Sequence, residues 1–217
     1  MHRLYIHPLP VRIWHWVNAA GFIILILTAL QIRYVGVIDV VSFRTAVRLH
    51  NWTGFVVIAN FFIWLGFYLF TDKISNYLPP RDFRRFFIKS FEQVKYYGYG
   101  IFIGAPNPHQ ITPYDKFNPL QRTLYAIVMV LVLPIQCYTG LLLWDVKRFS
   151  AQVDFLGGVR VLDTIHVLIF IFFVVYVIMH AYLGALGHTP SAHYKAMFTG
   201  YEEMDEEHDH AKDERTA

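Results

Sequence analysis

Long apolar runs alternate with shorter polar stretches along this chain, and the runs set its architecture. Four of them are long enough to cross a bilayer as helices: about Ile13 to Ile32, His50 to Phe70, Thr123 to Trp144 and Val161 to Leu186. About twenty apolar residues rising ~1.5 Å each match a hydrocarbon core of ~30 Å. The runs are continuous rather than alternating, so they satisfy their backbone groups as helices and not as barrel strands. Between the second and third runs, FRRFFIKSFEQVKYY sets Phe83, Phe86, Phe87, Phe91 and Val94 at helical spacing, with Arg84, Arg85, Lys89 and Lys95 elsewhere. That pattern predicts a basic amphipathic helix lying on the membrane surface, where it is also placed to roof a pocket. The proline-rich NPHQITP that follows reads as loop. The expected fold is all-α: an integral membrane four-helix bundle over residues 1–199, then a disordered acidic tail over 200–217.

Composition supports this reading. Of 217 residues, 55% are hydrophobic and 18% aromatic, too apolar for an ordinary soluble domain. The opening MHRLYIHPLPVRIWHW leads into roughly twenty apolar residues, longer than a signal-peptide core, so it reads as a retained anchor. The single cysteine, Cys137, excludes a cysteine-ligated iron–sulfur cluster, a CxxCH haem attachment and an internal disulfide within this chain. It reads as a small core residue.

Charge changes the picture in two places. Residues 200 to 217 hold eight acids against Lys212 and Arg215, so a net charge of +3 overall leaves +9 on the remainder. Tail histidines His208 and His210 read as part of that polar tail, and no nucleic-acid motif is present. The loop between spans two and three holds Lys73, Arg81, Arg84, Arg85, Lys89, Lys95, Lys116 and Arg122, eight basic residues against three in each of the other loops. The positive-inside rule then puts that loop and both termini in the cytoplasm. Trp14, Trp16, Trp52 and Trp144 fall at the expected interfaces, as aromatic belts do.

The candidate chemistry lies in four histidines. In HVLIFIFFVVYVIMH, His166 and His180 stand fourteen residues apart. On a helix that step rises about 21 Å and returns to within roughly 40° of the same face. Ionisable side chains within a span are functional candidates by default. His15 stands at the inner end of span one and His50 at the outer end of span two, so the topology pairs His15 with His180 and His50 with His166. Two imidazoles bridging two helices suit axial ligation of a haem iron. A di-iron centre needs several carboxylates and no Asp or Glu lies deep inside any span, zinc wants four clustered ligands, and proton relays use buried acids.

Neighbouring residues fit a flat cofactor, each with an ordinary reading beside it. Gly54 and Gly184 follow a histidine by four residues, on its face, and Gly21, Ala19 and Ala20 offer the same slimness in span one. Either a ring approaches there or helices simply pack. Arg12, Arg48 and Arg160 stand at span ends, as partners for haem propionates or as interfacial anchors.

RIWHW opening span one, LHNWTG opening span two, KFNPLQR before span three, and His166 with His180 in span four together resemble the prokaryotic cytochrome b561 superfamily. More narrowly the chain is similar to the cytochrome b subunits of nickel–iron hydrogenases, formate dehydrogenases (gamma subunit) and thiosulfate-reductase-type complexes, over about residues 8 to 190. The resemblance implies two stacked haems b, on His15 with His180 and on His50 with His166. It also implies a quinone site, for menaquinone or ubiquinone, beside the inner haem and a periplasmic partner near the outer one. The segment GHTPSAHYKAMFTGYEE departs from the tails of those subunits.

The chain lacks a Rossmann glycine fingerprint, iron–sulfur cysteines and a catalytic triad. The expected function is therefore a membrane-anchoring electron-transfer subunit of a hetero-oligomeric complex in the bacterial inner membrane. It would link the quinone pool to a periplasmic iron–sulfur protein, a hydrogenase or dehydrogenase, or a multihaem cytochrome c. Alternatives are a stand-alone b561-type carrier and, in another class, a haem-free transporter or proton channel. For the quinone, Asn118 and Gln121 in KFNPLQR can bond a carbonyl, with Tyr114 and Phe117 as walls. The same residues form a helix start, with Asn118 as cap, Pro119 first and Gln121 three residues on.

Overall fold

The computed structural model describes residues 2–71, 82–109, 117–185, 189 and 191–204. Four helices have the length and apolarity of membrane spans: α1 (Leu9–Arg33), α2 (Phe43–Leu69), α4 (Pro119–Trp144) and α6 (Val159–Gly184). Between them lie the surface helix α3 (Phe83–Gly98) and the short α5 (Ser150–Phe155), and after them α7 (Ala192–Thr199). Strands β1 (His2–Tyr5) and β2 (Tyr201–Met204) pair antiparallel, Tyr5 opposite Tyr201.

Every span starts earlier than hydropathy alone suggests, and in the first three a polar cap or a proline begins the helix before the apolar run does. Ser42 accepts a hydrogen bond from the Thr45 amide, so α2 starts seven residues before His50 and carries it two turns into the helix. Pro10 occupies the first turn of α1, where a missing N–H costs nothing. Asn118 and Gln121 close a reciprocal capping box at the start of α4. Within α4, Val128–Val132 widens into a π turn just before Pro134. Pro134 offers no amide and crowds the carbonyl four residues back, and a wider turn relieves both.

The spans form two close pairs, α1 with α2 and α4 with α6. Val57, Trp64, Tyr68, Val128, Met129, Leu133 and Phe173 form the buried centre between them, with Cys137 packed against it. A second cluster of Leu142, Val153 and Leu162 closes the end away from the termini. Only 11% of the most apolar stretch of α6 is fully buried within the protein, as suits a span whose outer side meets lipid. On α3, Phe83, Phe87, Phe91 and Val94 are exposed along one stripe while Gln93 is buried on the opposite side, the face a membrane-surface helix presents to lipid.

Two expectations are revised. Trp14 is half-buried and packs against the core residue Trp64 at 6.2 Å between ring centroids, so it belongs to the bundle interior and not to a belt. The acidic segment does not begin disordered at residue 200, since Tyr201–Met204 forms β2. Its pairing amides come from the N-terminal strand, and Glu202 is buried against His193 at 3.0 Å. Residues 205–217 lie outside the described residues.

Candidate haem sites: two histidine pairs at two depths

Strands β1 and β2 and helix α7 form a clasp at one end of the bundle. Ile6 and His7 donate to the Gly200 carbonyl, the Trp16 indole donates to the Met197 carbonyl at 3.2 Å, and the Arg12 guanidinium donates to the Phe198 carbonyl. The two chain ends thus share one side of the bundle, as four spans require. One pair lies beneath this clasp: His15 of α1 faces His180 of α6 with ring centroids 6.1 Å apart. At the far end His50 of α2 faces His166 of α6 at 6.5 Å. Fourteen residues of α6 separate the two levels, about 21 Å along the helix. The sequence pairing, its two depths and its use of a shared fourth span therefore all appear in the fold.

These distances test whether a metal fits. A metal sits about 2 Å from an imidazole nitrogen, and that nitrogen lies a further ~1 Å from its ring centre, so a ligating pair needs centroids roughly 6 Å apart. Both pairs meet that spacing. Two buried polar atoms there, His15 Nδ1 and Gln136 Oε1, have no hydrogen-bond partner among the described residues, and such atoms call for something further to complete the site. Among the described residues no three His, Cys, Asp or Glu side chains gather around one point, so each level offers two imidazoles as donors.

The glycines divide. A methyl at Gly54 would meet nothing within 4 Å, leaving space beside His50 for a ring. Gly21 instead lets α1 pack on α2, since a Cβ there would lie 2.8 Å from Val57. A Cβ on Gly184 would meet the Tyr194 ring at 3.4 Å, because α7 folds back across the end of α6. Arg12 is committed to the clasp, whereas Arg48 is exposed beside a cavity of about 390 Å³ shared with Arg44, Asn51, Trp52, Phe55 and Trp144. Arg160 is exposed at the start of α6.

Asn118 is 3% exposed and its side chain is fully engaged: Oδ1 accepts from the Gln121 amide at 2.9 Å and Nδ2 donates to the Tyr97 hydroxyl at 3.0 Å. Gln121 returns its Oε1 to the Asn118 amide at 3.1 Å. The capping role is thus plain in the fold. A cavity of about 270 Å³ opens next to it between α3 and α4, lined by Arg85, Phe86, Lys89, His109, Phe117 and Arg122. Phe117 lies 5.0 Å from Tyr125, whose ring is 6.2 Å from His180. Tyr114 lies outside the described residues.

Sequence reasoning missed the residues that surround the ligand rings. Thr28 approaches His50 Nδ1 at 3.0 Å, and Thr139 approaches His166 Nδ1 at 2.9 Å. Gln136 Nε2 lies 3.3 Å from His166 Nε2. Gly140 gives His166 room, since a Cβ there would lie 3.1 Å from Cε1. Tyr176 stacks on His180 at 5.8 Å. One signal was available: Gln136, Thr139 and Gly140 fall at helical spacing on one face of α4, a polar and small stripe in an apolar span.

The sequence pattern of the prokaryotic cytochrome b561 family matches residues 6–200. The chain belongs to that family. It is a multi-pass protein of the bacterial inner membrane, a b561-type electron carrier, and the cofactor its family implies is haem b. It is 33% identical over 202 residues to "Putative cytochrome YdhU" of Escherichia coli K12, covering 92% of this chain and 74% of that one. It is 23% identical over 193 residues to "Putative protein-methionine-sulfoxide reductase subunit YedZ1" of Azospira oryzae, covering 83% of this chain and 90% of that one. No solved structure matches it.

Proposed function

We propose that this cytochrome holds two haems b, one between His15 and His180 and one between His50 and His166, and carries electrons across the membrane between the quinone pool and a redox partner. The observation that carries this reading is the pair of centroid separations, 6.1 and 6.5 Å, at two levels of one bundle. A haem b supplies a one-electron store at each level. The chain's own residues do the rest. The four imidazoles set the two positions, and the apolar spans exclude water between them.

The eight basic residues between spans two and three support a cytoplasmic location for that loop, for the clasp and for the His15–His180 level. The His50–His166 level then faces the periplasmic side, where a partner exchanges electrons with it. The Azospira relative is named as a reductase subunit, which favours a subunit role here over a stand-alone carrier. At the cytoplasmic level the quinone site lies around Phe117 and the cavity lined by Phe86, His109 and Arg122, with Asn118 and Gln121 holding the start of α4 beside it. Aromatic walls suit the ring.

Haem content tests the reading. The purified chain is expected to bind two low-spin b haems. His50→Ala and His166→Ala should each remove one, and His15→Ala and His180→Ala the other. Full haem content in all four variants would refute it.

A further inference from the structure

Each imidazole of the His50–His166 pair has a buried threonine against its Nδ1, and the two arrangements repeat one another from different helices. Thr28 of α1 hydrogen-bonds the carbonyl of Ile24 at 2.7 Å and lies 3.0 Å from His50 Nδ1 of α2. Thr139 of α4 hydrogen-bonds the carbonyl of Ile135 at 2.9 Å and lies 2.9 Å from His166 Nδ1 of α6. Both threonines also reach the carbonyl three residues back, Leu25 and Gln136, at 3.1 Å. A hydroxyl has one hydrogen. Given to its own helix's carbonyl, it leaves the oxygen able only to accept from the imidazole. Nδ1 must then carry the ring's proton, and Nε2 presents its lone pair. The Gln136 side chain lies 3.3 Å from His166 Nε2, beside the nitrogen that this tautomer leaves open for ligation.

The His15–His180 pair is built otherwise. Among the described residues His15 Nδ1 is buried with no partner, and His180 Nδ1 meets the Tyr125 hydroxyl at a long 3.5 Å. We propose that Thr28 and Thr139 are positioning residues for the His50–His166 centre. They fix both rings in the Nε2-ligating tautomer and hold that centre's reduction potential below the value two unsupported imidazoles would give. A ring N–H donated to an acceptor makes the opposite nitrogen a stronger donor, and a stronger donor favours the more highly charged, oxidised iron. This rests on the two-haem reading above.

The test is redox potentiometry of the haem-loaded chain, with the two centres resolved by optical and electron paramagnetic resonance spectra. Thr28→Val and Thr139→Val keep the shape of the side chain and delete the acceptor, whereas Thr28→Ser and Thr139→Ser keep the hydroxyl and delete the methyl. Haem stoichiometry comes first, since fewer than two haems in the unaltered protein is a failure of the two-haem reading and not of this one. Each valine variant is expected to shift the reduced-to-oxidised ratio of the His50–His166 haem about threefold toward reduced, ~28 mV upward at 59 mV per tenfold. The paired variant should shift it about tenfold. The His15–His180 haem should not move, and the serine variants should match the unaltered protein. Loss of the His50–His166 haem in the valine variants alone, with serine retaining it at its original potential, would equally support the hydroxyl's role. Unchanged potentials and spectra in the valine variants, or serine variants that behave like valine, would overturn it.

Discussion

Adding one methyl group at Gly140 tests how closely α4 holds His166. The new Cβ would lie 3.1 Å from Cε1 and 3.8 Å from Nδ1 of the ring. Ordinary contact between carbons begins near 3.5 Å, so the ring must retreat by roughly 0.4 Å. It is poorly placed to do so, held at Nδ1 by Thr139 at 2.9 Å. Overpacking a fitted site costs about 1–3 kcal/mol. If that strain falls on the ligand, haem is held roughly 5- to 150-fold less tightly at this level, at about 1.4 kcal/mol per tenfold. The assay is titration of haem into the apo form of Gly140→Ala, following the two centres separately. Weakened binding at the His50–His166 level with unchanged binding at His15–His180 is expected. Gly54→Ala is the companion variant, because the protein itself offers that methyl no contact within 4 Å. Any loss of haem there reports a ring lying in that space. Gly140→Ala with two haems, unaltered affinity and an unaltered spectrum would refute the idea that the α4 face shapes the ligand.

Other expectations concern the clasp, the helix start and the topology. The hydrogen bond to Glu202 raises His193 above its usual imidazole value, against a smaller opposing effect of burial. The pair's contribution is therefore complete below the unfolded value of 6.5 and lost as pH rises through the higher folded value. The protection factors of the β1–β2 amides, which remove the intrinsic base catalysis of exchange, should fall over that rise, and Glu202→Gln should abolish the fall. Asn118→Leu removes the α4 cap and is expected to destabilise by about 0.5–2 kcal/mol. Asn118→Asp keeps the acceptor for the Gln121 amide but loses the donor to Tyr97, so normal stability with altered quinone-analogue kinetics would place Asn118 at the ligand and not only at the cap. A reporter fused near Arg85 should score as cytoplasmic and one near Phe155 as periplasmic, and the opposite pattern would exchange the two levels.

Hydropathy and helical period carry information along one helix at a time, and what depends on one helix was legible in the sequence. The four spans, the exposed stripe of α3, the shared face of His166 and His180, and the Asn118–Gln121 helix start all follow from local spacing. The pairing of His15 with His180 and of His50 with His166 was legible too, because a span's direction alone sets the depth of its residues. Rotation of one span against another is another matter, since it comes from the packing of side chains far apart in sequence. Nothing local shows that Gly21 meets Val57 while Gly54 meets open space, or that Thr28 and Thr139 turn their hydroxyls to imidazoles on neighbouring helices. The clasp likewise joins residues 2–5 to 201–204 across almost the whole chain. Its strands are too short to register as a pattern, and they exist only because the even number of spans returns both ends to one side, where each supplies the amides and carbonyls that the other lacks.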